Sequence, residues 1–122
     1  MLTRFDHLEV VTADLADAVS IYERNFDFKV LRSADGNTAS IRIGDSEIRL
    51  LSGVLAADAI TKAGEGMFAL WLEAADVESV AAALRKDGID PGTIQKEPGR
   101  RILAVDPKYA NQVPLFIFDR KG

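Results

Sequence analysis

The stretch His7-Leu-Glu-Val-Val-Thr-Ala-Asp14 reappears in altered form 62 positions later as Ala69-Leu-Trp-Leu-Glu-Ala-Ala-Asp76. In each copy a β-type run ends at an aspartate, and apolar residues at helical spacing follow. A short carboxylate directly before such a run is a typical helix N-cap. The chain is therefore predicted to be a tandem of one strand–helix unit, in which the one histidine, His7, falls opposite Ala69.

Strands complete each half of the tandem. Alternating apolar residues and turn residues predict the following elements: a strand at 5–11, a helix at 14–25 and strands at 29–33, 38–43 and 47–51, then a strand at 68–73, a helix at 77–86 and strands near 92–95, 101–105 and 113–118. Both halves thus read as βαβββ. The predicted boundaries are one domain over residues 1–122, with a first module at 3–52, a linker at 53–66 that is weakly helical at 55–62, and a second module at 67–120.

Composition excludes several classes of function. The 122 residues suffice for one domain, so the two halves must share a core. There is no cysteine, which removes thiol nucleophiles and thiolate metal sites. A net charge of −4 argues against a nucleic-acid surface, and no apolar run approaches the roughly 20 residues that cross a membrane. The N-terminus lacks a secretory signal pattern, so a cytoplasmic location is expected.

The order of elements and several motifs resemble the vicinal oxygen chelate superfamily, which includes glyoxalase I, bleomycin-resistance proteins, extradiol dioxygenases and methylmalonyl-CoA epimerase. The likeness rests on the opening Asp6-His7-Leu8-Glu9-Val10-Val11 with Asp14 and Tyr22 downstream, and on Val105-Asp106-Pro107-Lys108 before the final strand. The resemblance implies an α+β fold, in which paired βαβββ modules form a curved mixed sheet around a cleft.

That resemblance also implies a divalent metal held by four side chains, two from each module. His7 matches the first ligand position, whereas Arg49, Ala69 and Phe116 fall at the other three. A guanidinium repels a metal, and neither a methyl group nor a phenyl ring has a lone pair to donate. The expectation is therefore a cleft without the usual metal.

A slip of two residues in the strand alignment leaves a second possibility open. It would keep the same face of the strand and bring Glu47 to the position of Arg49. His7, Glu9 and Glu47 would then form a three-ligand site for a divalent metal.

The cleft implied by the family has an apolar floor. Strand alternation places Trp71, Phe116 and Phe118 on the face that would line it. Such rings suit an aromatic or apolar ligand, which would make these residues ligand-binding. The alternative is that all three belong to the core.

The polar groups of the implied cleft are His7, Glu9 and Arg49. Arg49 could pair with both oxygens of a ligand carboxylate, or it could form a salt bridge with Glu47, Glu9 or Glu73. His7 and Glu9 could act as a catalytic base and its orienting partner, as in a metal-independent enolisation or epimerisation.

Three functions of different class follow from these features. The first is a metal-free protein that binds a small organic or aromatic acid, as bleomycin-resistance proteins bind their drug. The second is a lyase, isomerase or dioxygenase with a divergent metal site, and the third is a non-catalytic structural or regulatory subunit. The family resemblance implies a homodimer, and neither nucleic acid nor membrane is expected as a partner.

Overall fold

The structure is a computed structural model that describes residues 2–110 and 112–121, with residue 55 described by its backbone alone. The elements run in the order β1 (Leu2–Val11), α1 (Leu15–Phe26), β2 (Val30–Arg32), β3 (Thr38–Ile43), β4 (Ser46–Leu51), α2 (Val54–Ala63), β5 (Gly66–Ala74), α3 (Val77–Lys86), β6 (Ile94–Glu97), β7 (Arg100–Val105), a short 3₁₀ helix (Pro107–Tyr109) and β8 (Leu115–Asp119). This order confirms the predicted α+β class and the paired βαβββ arrangement.

Several boundaries differ from the sequence prediction by one to three residues, and those of β1 and β6 are examples. β1 begins at Leu2, three residues earlier than expected, because its first residues continue the same extended backbone. β6 begins at Ile94 rather than near Gly92, since Gly92 has a positive φ of 75° and donates its N–H to Asp90 in a turn. Residues 106–112, between the strands predicted at 101–105 and 113–118, contain the short 3₁₀ helix, and Asn111 among them lies outside the described residues.

The chain divides into two compact units, His7–Phe68 and Met1–Asp6 together with Ala69–Gly122. The boundaries predicted for the modules and their linker stay a prediction. No helix in the described part of the chain is long and apolar enough to cross a bilayer.

The unit His7–Phe68 has the strand order β2-β3-β4-β1. β1 and β4 are parallel, with His7 opposite Glu47 and Glu9 opposite Arg49, while the other pairs are antiparallel. The helix α1 starts after Asp14, whose carboxylate accepts from the amide of Asp17 at 3.0 Å. The core of this unit is formed by Leu15, Val19, Val30, Ala39, Ile41 and Leu50.

The second unit repeats this plan with the strand order β5-β8-β7-β6. β5 and β8 are parallel and place Trp71 opposite Phe116, whereas β8, β7 and β6 are antiparallel neighbours. The carboxylate of Asp76 accepts from the amide of Glu78 at 3.0 Å and caps α3, as the sequence predicted. The core is formed by Ala74, Val77, Val80, Ala81, Leu103, Val105 and Ile117.

A buried carboxylate, Asp119, fixes the start of α3 to the end of β8. Asp119 is fully buried and accepts from the amide of Val77 at 2.8 Å and from Arg101 at 2.6 Å. Although burial alone would raise it, the hydrogen bonds from Arg101 and the backbone lower the pKa of Asp119 to about 2. The same contacts hold the pKa of Arg101 above its usual value.

We expect the substitution Asp119→Asn to lower the free energy of unfolding by about 1.5–3 kcal/mol, the range for a hydrogen bond to a charged group. Because folding depresses the pKa of Asp119, its ionised form contributes stability above the ordinary carboxyl pKa of 3.8, and this contribution is lost as the pH falls towards about 2. Urea unfolding at neutral and acidic pH measures both effects.

The matched control is Asp58→Asn, because the side chain of Asp58 is 82% exposed and only pairs with Lys62 one helical turn away. This variant should unfold like the wild type at neutral pH. Equal losses in the two variants would contradict the role assigned to Asp119.

Candidate functional site

Four polar side chains of the unit His7–Phe68 meet on the face of the sheet opposite α1. We call His7, Glu9, Glu47 and Arg49 the polar cluster. The guanidinium Nε of Arg49 donates to Oε1 of Glu47 at 2.5 Å, and its Nη1 lies 3.4 Å from Nε2 of His7. Oε2 of Glu9 lies 3.8 Å from the same His7 nitrogen. The structure thus brings together the His7, Glu9 and Arg49 that the sequence singled out.

Arg49 determines the state of the imidazole in this arrangement. A guanidinium can only donate hydrogen bonds, so a hydrogen bond across these 3.4 Å requires the tautomer in which Nε2 of His7 accepts and Nδ1 carries the proton. The His7 side chain is only 1% exposed, whereas that of Arg49 is 38% exposed. The contact with Glu47 is one of the three salt bridges that the sequence allowed for Arg49.

A divalent metal does not fit the residues at the positions implied by the family. Ala69 and Phe116 have no donor atom, and Arg49 presents a permanent positive charge to His7 and Glu47. Within residues 2–110 and 112–121, no group of three or more His, Cys, Asp or Glu could hold a metal ion. The alternative trio of His7, Glu9 and Glu47 is therefore not arranged as a metal centre.

Three aromatic residues of the second unit lie together, and we call them the aromatic cluster: Trp71, Phe116 and Phe118. Trp71 stacks on Phe116 with ring centroids 4.6 Å apart and planes inclined by 14°. Phe118 is tilted by 60° against Trp71, with 6.1 Å between centroids. Trp71 and Phe118 are 9% and 3% exposed, whereas Phe116 is half-buried. Of the three, Phe116 is thus the ring that a ligand could reach most easily.

Two arginines cover the aromatic cluster. The guanidinium of Arg100 lies 5.2 Å from the ring centroid of Trp71, and that of Arg120 lies 5.5 Å from the centroid of Phe118. Both are within the range of cation–π attraction. Arg120 also donates to Glu73 at 3.0 Å, so Glu73 has a cationic partner inside its own unit.

A pocket of about 430 Å³ opens beside Phe116, within the second unit. Its lining includes the apolar residues Ala104, Pro114 and Leu115 and the segment Pro107–Tyr109. The volume lies in the usual range for small-molecule sites. Residues 106–109, which follow β7, all line this pocket.

The sequence reasoning did not select the polar groups of this pocket, which are Asp90, Asp106, Lys108 and Tyr109. Asp90 and Asp106 accept from the backbone amides of Gly92 and Lys108 at 2.9 and 3.0 Å, so each closes a local turn. Nζ of Lys108 lies 5.0 Å from the ring centroid of Tyr109. Lys108 could have been found from its position between β7 and β8, because this connection is longer than the one between β3 and β4 in the first unit.

Comparisons with solved structures support the fold. A hypothetical protein from Bacillus halodurans is similar with a TM-score of 0.76 at 20% identity, over 98% of this chain and 95% of its own. A methylmalonyl-CoA epimerase from Mycobacterium tuberculosis gives 0.76 at 21% identity over 99% and 90%. A variant of the Streptomyces coelicolor methylmalonyl-CoA epimerase, in complex with 2-nitronate-propionyl-CoA, gives 0.74 at 24% identity over all of both chains.

A search of curated proteins gave no match. The family model described as Glyoxalase/Bleomycin resistance protein/Dioxygenase superfamily matches residues 4–105, which is most of the chain. The chain therefore belongs to the glyoxalase/bleomycin resistance protein/dioxygenase superfamily.

Proposed function

We propose that the protein binds a small organic acid with an apolar or aromatic body, and that it does so without a divalent metal. The observation that carries this proposal is the pocket of about 430 Å³ whose lining includes both Lys108 and Phe116, the ring that stacks on Trp71. A flat ligand would pack against Phe116, while its carboxylate would pair with the Lys108 ammonium.

The three aromatic residues have different roles in this proposal. Phe116 lines the pocket and would contact the ligand directly. Trp71 stacks on this ring, Phe118 packs against Trp71, and both are nearly buried. The prediction that Trp71 and Phe118 are ligand-binding is thereby narrowed to a supporting role.

Lys108 is the cation of the pocket. The carboxylates of Asp90 and Asp106 also line the pocket, but each is bound to a backbone amide in its own turn. Arg49 remains a predicted ligand-binding residue, although Glu47 already pairs with its guanidinium. We therefore assign the ligand carboxylate to Lys108.

Catalysis by His7 and Glu9 is a second candidate function. The 3.8 Å between Nε2 of His7 and Oε2 of Glu9 favours it, because a carboxylate at this distance can stabilise a charged imidazole. Solved structures of similar fold include methylmalonyl-CoA epimerases. Exchange of the α-hydrogen of methylmalonyl-CoA in deuterated water, followed by NMR, tests this activity, and the loss of exchange in His7→Ala would support it.

The remaining predictions are a metal-dependent lyase, isomerase or dioxygenase, and a non-catalytic structural subunit. The metal-dependent enzyme has the least support, because Arg49 donates to Glu47 and lies 3.4 Å from His7, two of the three residues that would hold the metal. Elemental analysis of untagged protein tests it.

A homodimer is also part of this proposal and is tested by sedimentation.

The one tryptophan of the chain, Trp71, provides a direct probe of ligand binding, since its ring stacks on Phe116. We expect phenylacetate and longer aryl-alkanoic acids to change the Trp71 emission with saturation. The substitution Lys108→Gln should weaken binding by about tenfold, the effect of losing ~1.4 kcal/mol of charge pairing. Fluorescence titration measures both.

The matched control is Lys86→Gln, because Lys86 lies at the end of α3 and is not among the pocket residues. It should bind the acids as the wild type does. The corresponding arylalkyl amines reverse the charge of the ligand, and tighter binding of the amines than of the acids would contradict the proposal.

Truncation of Phe118 and of Phe116 to alanine distinguishes a ring of the core from the ring that would contact the ligand. Phe118→Ala should lower the free energy of unfolding by about 3–5 kcal/mol, since Phe118 is 3% exposed. Phe116→Ala should cost about 1–2 kcal/mol, because its ring is only half-buried, yet it should abolish acid binding. Denaturant unfolding followed by circular dichroism measures stability, and equal losses would place Phe116 in the core instead.

A further inference from the structure

The polar cluster is arranged around a positive charge. Glu47 accepts from Nε of Arg49 at 2.5 Å, and Nη1 of Arg49 lies 3.4 Å from Nε2 of His7. The side chains of Glu9 and Glu47 are only 14% and 12% exposed. Two carboxylates so far removed from water are costly unless a cation lies beside them.

We propose that Arg49 is the resident cation of the polar cluster and neutralises it in place of a divalent metal. A guanidinium stays protonated at every physiological pH, so this charge cannot be titrated away. It also engages the lone pairs of His7 and Glu47 that a metal would need. In the wild type, Arg49 thereby excludes a metal from this cluster.

A variant without the Arg49 guanidinium keeps the donor side chains of His7, Glu9 and Glu47 on one face of the sheet. Two ligands of one metal ion, each at about 2.0–2.2 Å from it, can be at most about 4.4 Å apart. Nε2 of His7 and Oε2 of Glu9 are already 3.8 Å apart, and Glu47 lies opposite His7 in the parallel register of β1 and β4. Once the guanidinium is removed, His7, Glu9 and Glu47 can turn towards a common ion.

The inference concerns residues of His7–Phe68, whereas the acid-binding pocket is lined by residues of Ala69–Gly122. It extends the metal-free part of the proposed function and does not need the acid to bind. A failure of the fluorescence titration therefore leaves it standing, and a failure of the metal experiment leaves the pocket standing.

The experiment compares the wild type, Arg49→Gln and Arg49→Lys in titrations with Co²⁺ and Zn²⁺, followed by visible absorption and calorimetry. We expect Arg49→Gln to bind the ion stoichiometrically and to rise in melting temperature with it. Arg49→Lys keeps the positive charge and is the matched control, so it and the wild type should bind roughly tenfold or more weakly. Adding His7→Ala to Arg49→Gln should remove the new binding.

Metal binding by the wild type as tight as by Arg49→Gln would overturn the proposal, as would a folded Arg49→Gln protein that binds no metal. A second measurement covers the case in which Arg49→Gln does not fold. The chain has one histidine, so the ¹⁵N spectrum of wild-type protein at mildly alkaline pH reports on His7 alone. A proton on Nδ1 supports donation by Arg49, and a proton on Nε2 contradicts it.

Discussion

The parallel pairing of the first and last strand within each half is the constraint on which the rest of the structure depends. It joins β1 to β4 and β5 to β8. Each pair lies next to the helix that follows its first strand in the chain, which is α1 for β1 and α3 for β5. Side chains alternate between the two faces of a strand, so one register assigns every residue of a pair to a face. A shift of one residue would exchange the core for the candidate sites.

This assignment separates packing from chemistry in both halves. The faces that meet α1 and α3 carry branched aliphatic residues and form the two cores. The opposite faces carry the polar cluster in one half and the aromatic cluster in the other. The tandem has therefore kept one scaffold and carries residues of different chemistry on the faces opposite its two helices.

On the face opposite α1 in the first half, arginine is paired with carboxylate. The carboxylates of Glu9 and Glu47 are nearly buried, and Arg49 pairs with Glu47 and lies opposite Glu9 in the register of β1 and β4. In the second half, Arg100 and Arg120 lie over aromatic rings, where the ring faces attract them. Arginine is thus used in both halves, with carboxylates as its partners in one and π faces in the other.

The sequence alone determined the order of the elements, the N-caps Asp14 and Asp76 and the faces of His7, Glu9 and Trp71, because periodicity and capping act over a few residues. The resemblance to the superfamily also predicted that Arg49, Ala69 and Phe116 stand at positions of metal ligands. Only the tertiary structure decided which partner Arg49 takes and which ring of the aromatic cluster stays accessible. Glu47 is two residues from Arg49 on the same strand, but the contact of Arg49 with His7 depends on distances between strands that are far apart in the chain. The same holds for the accessible ring and for the pocket beside Lys108, which no local pattern encodes.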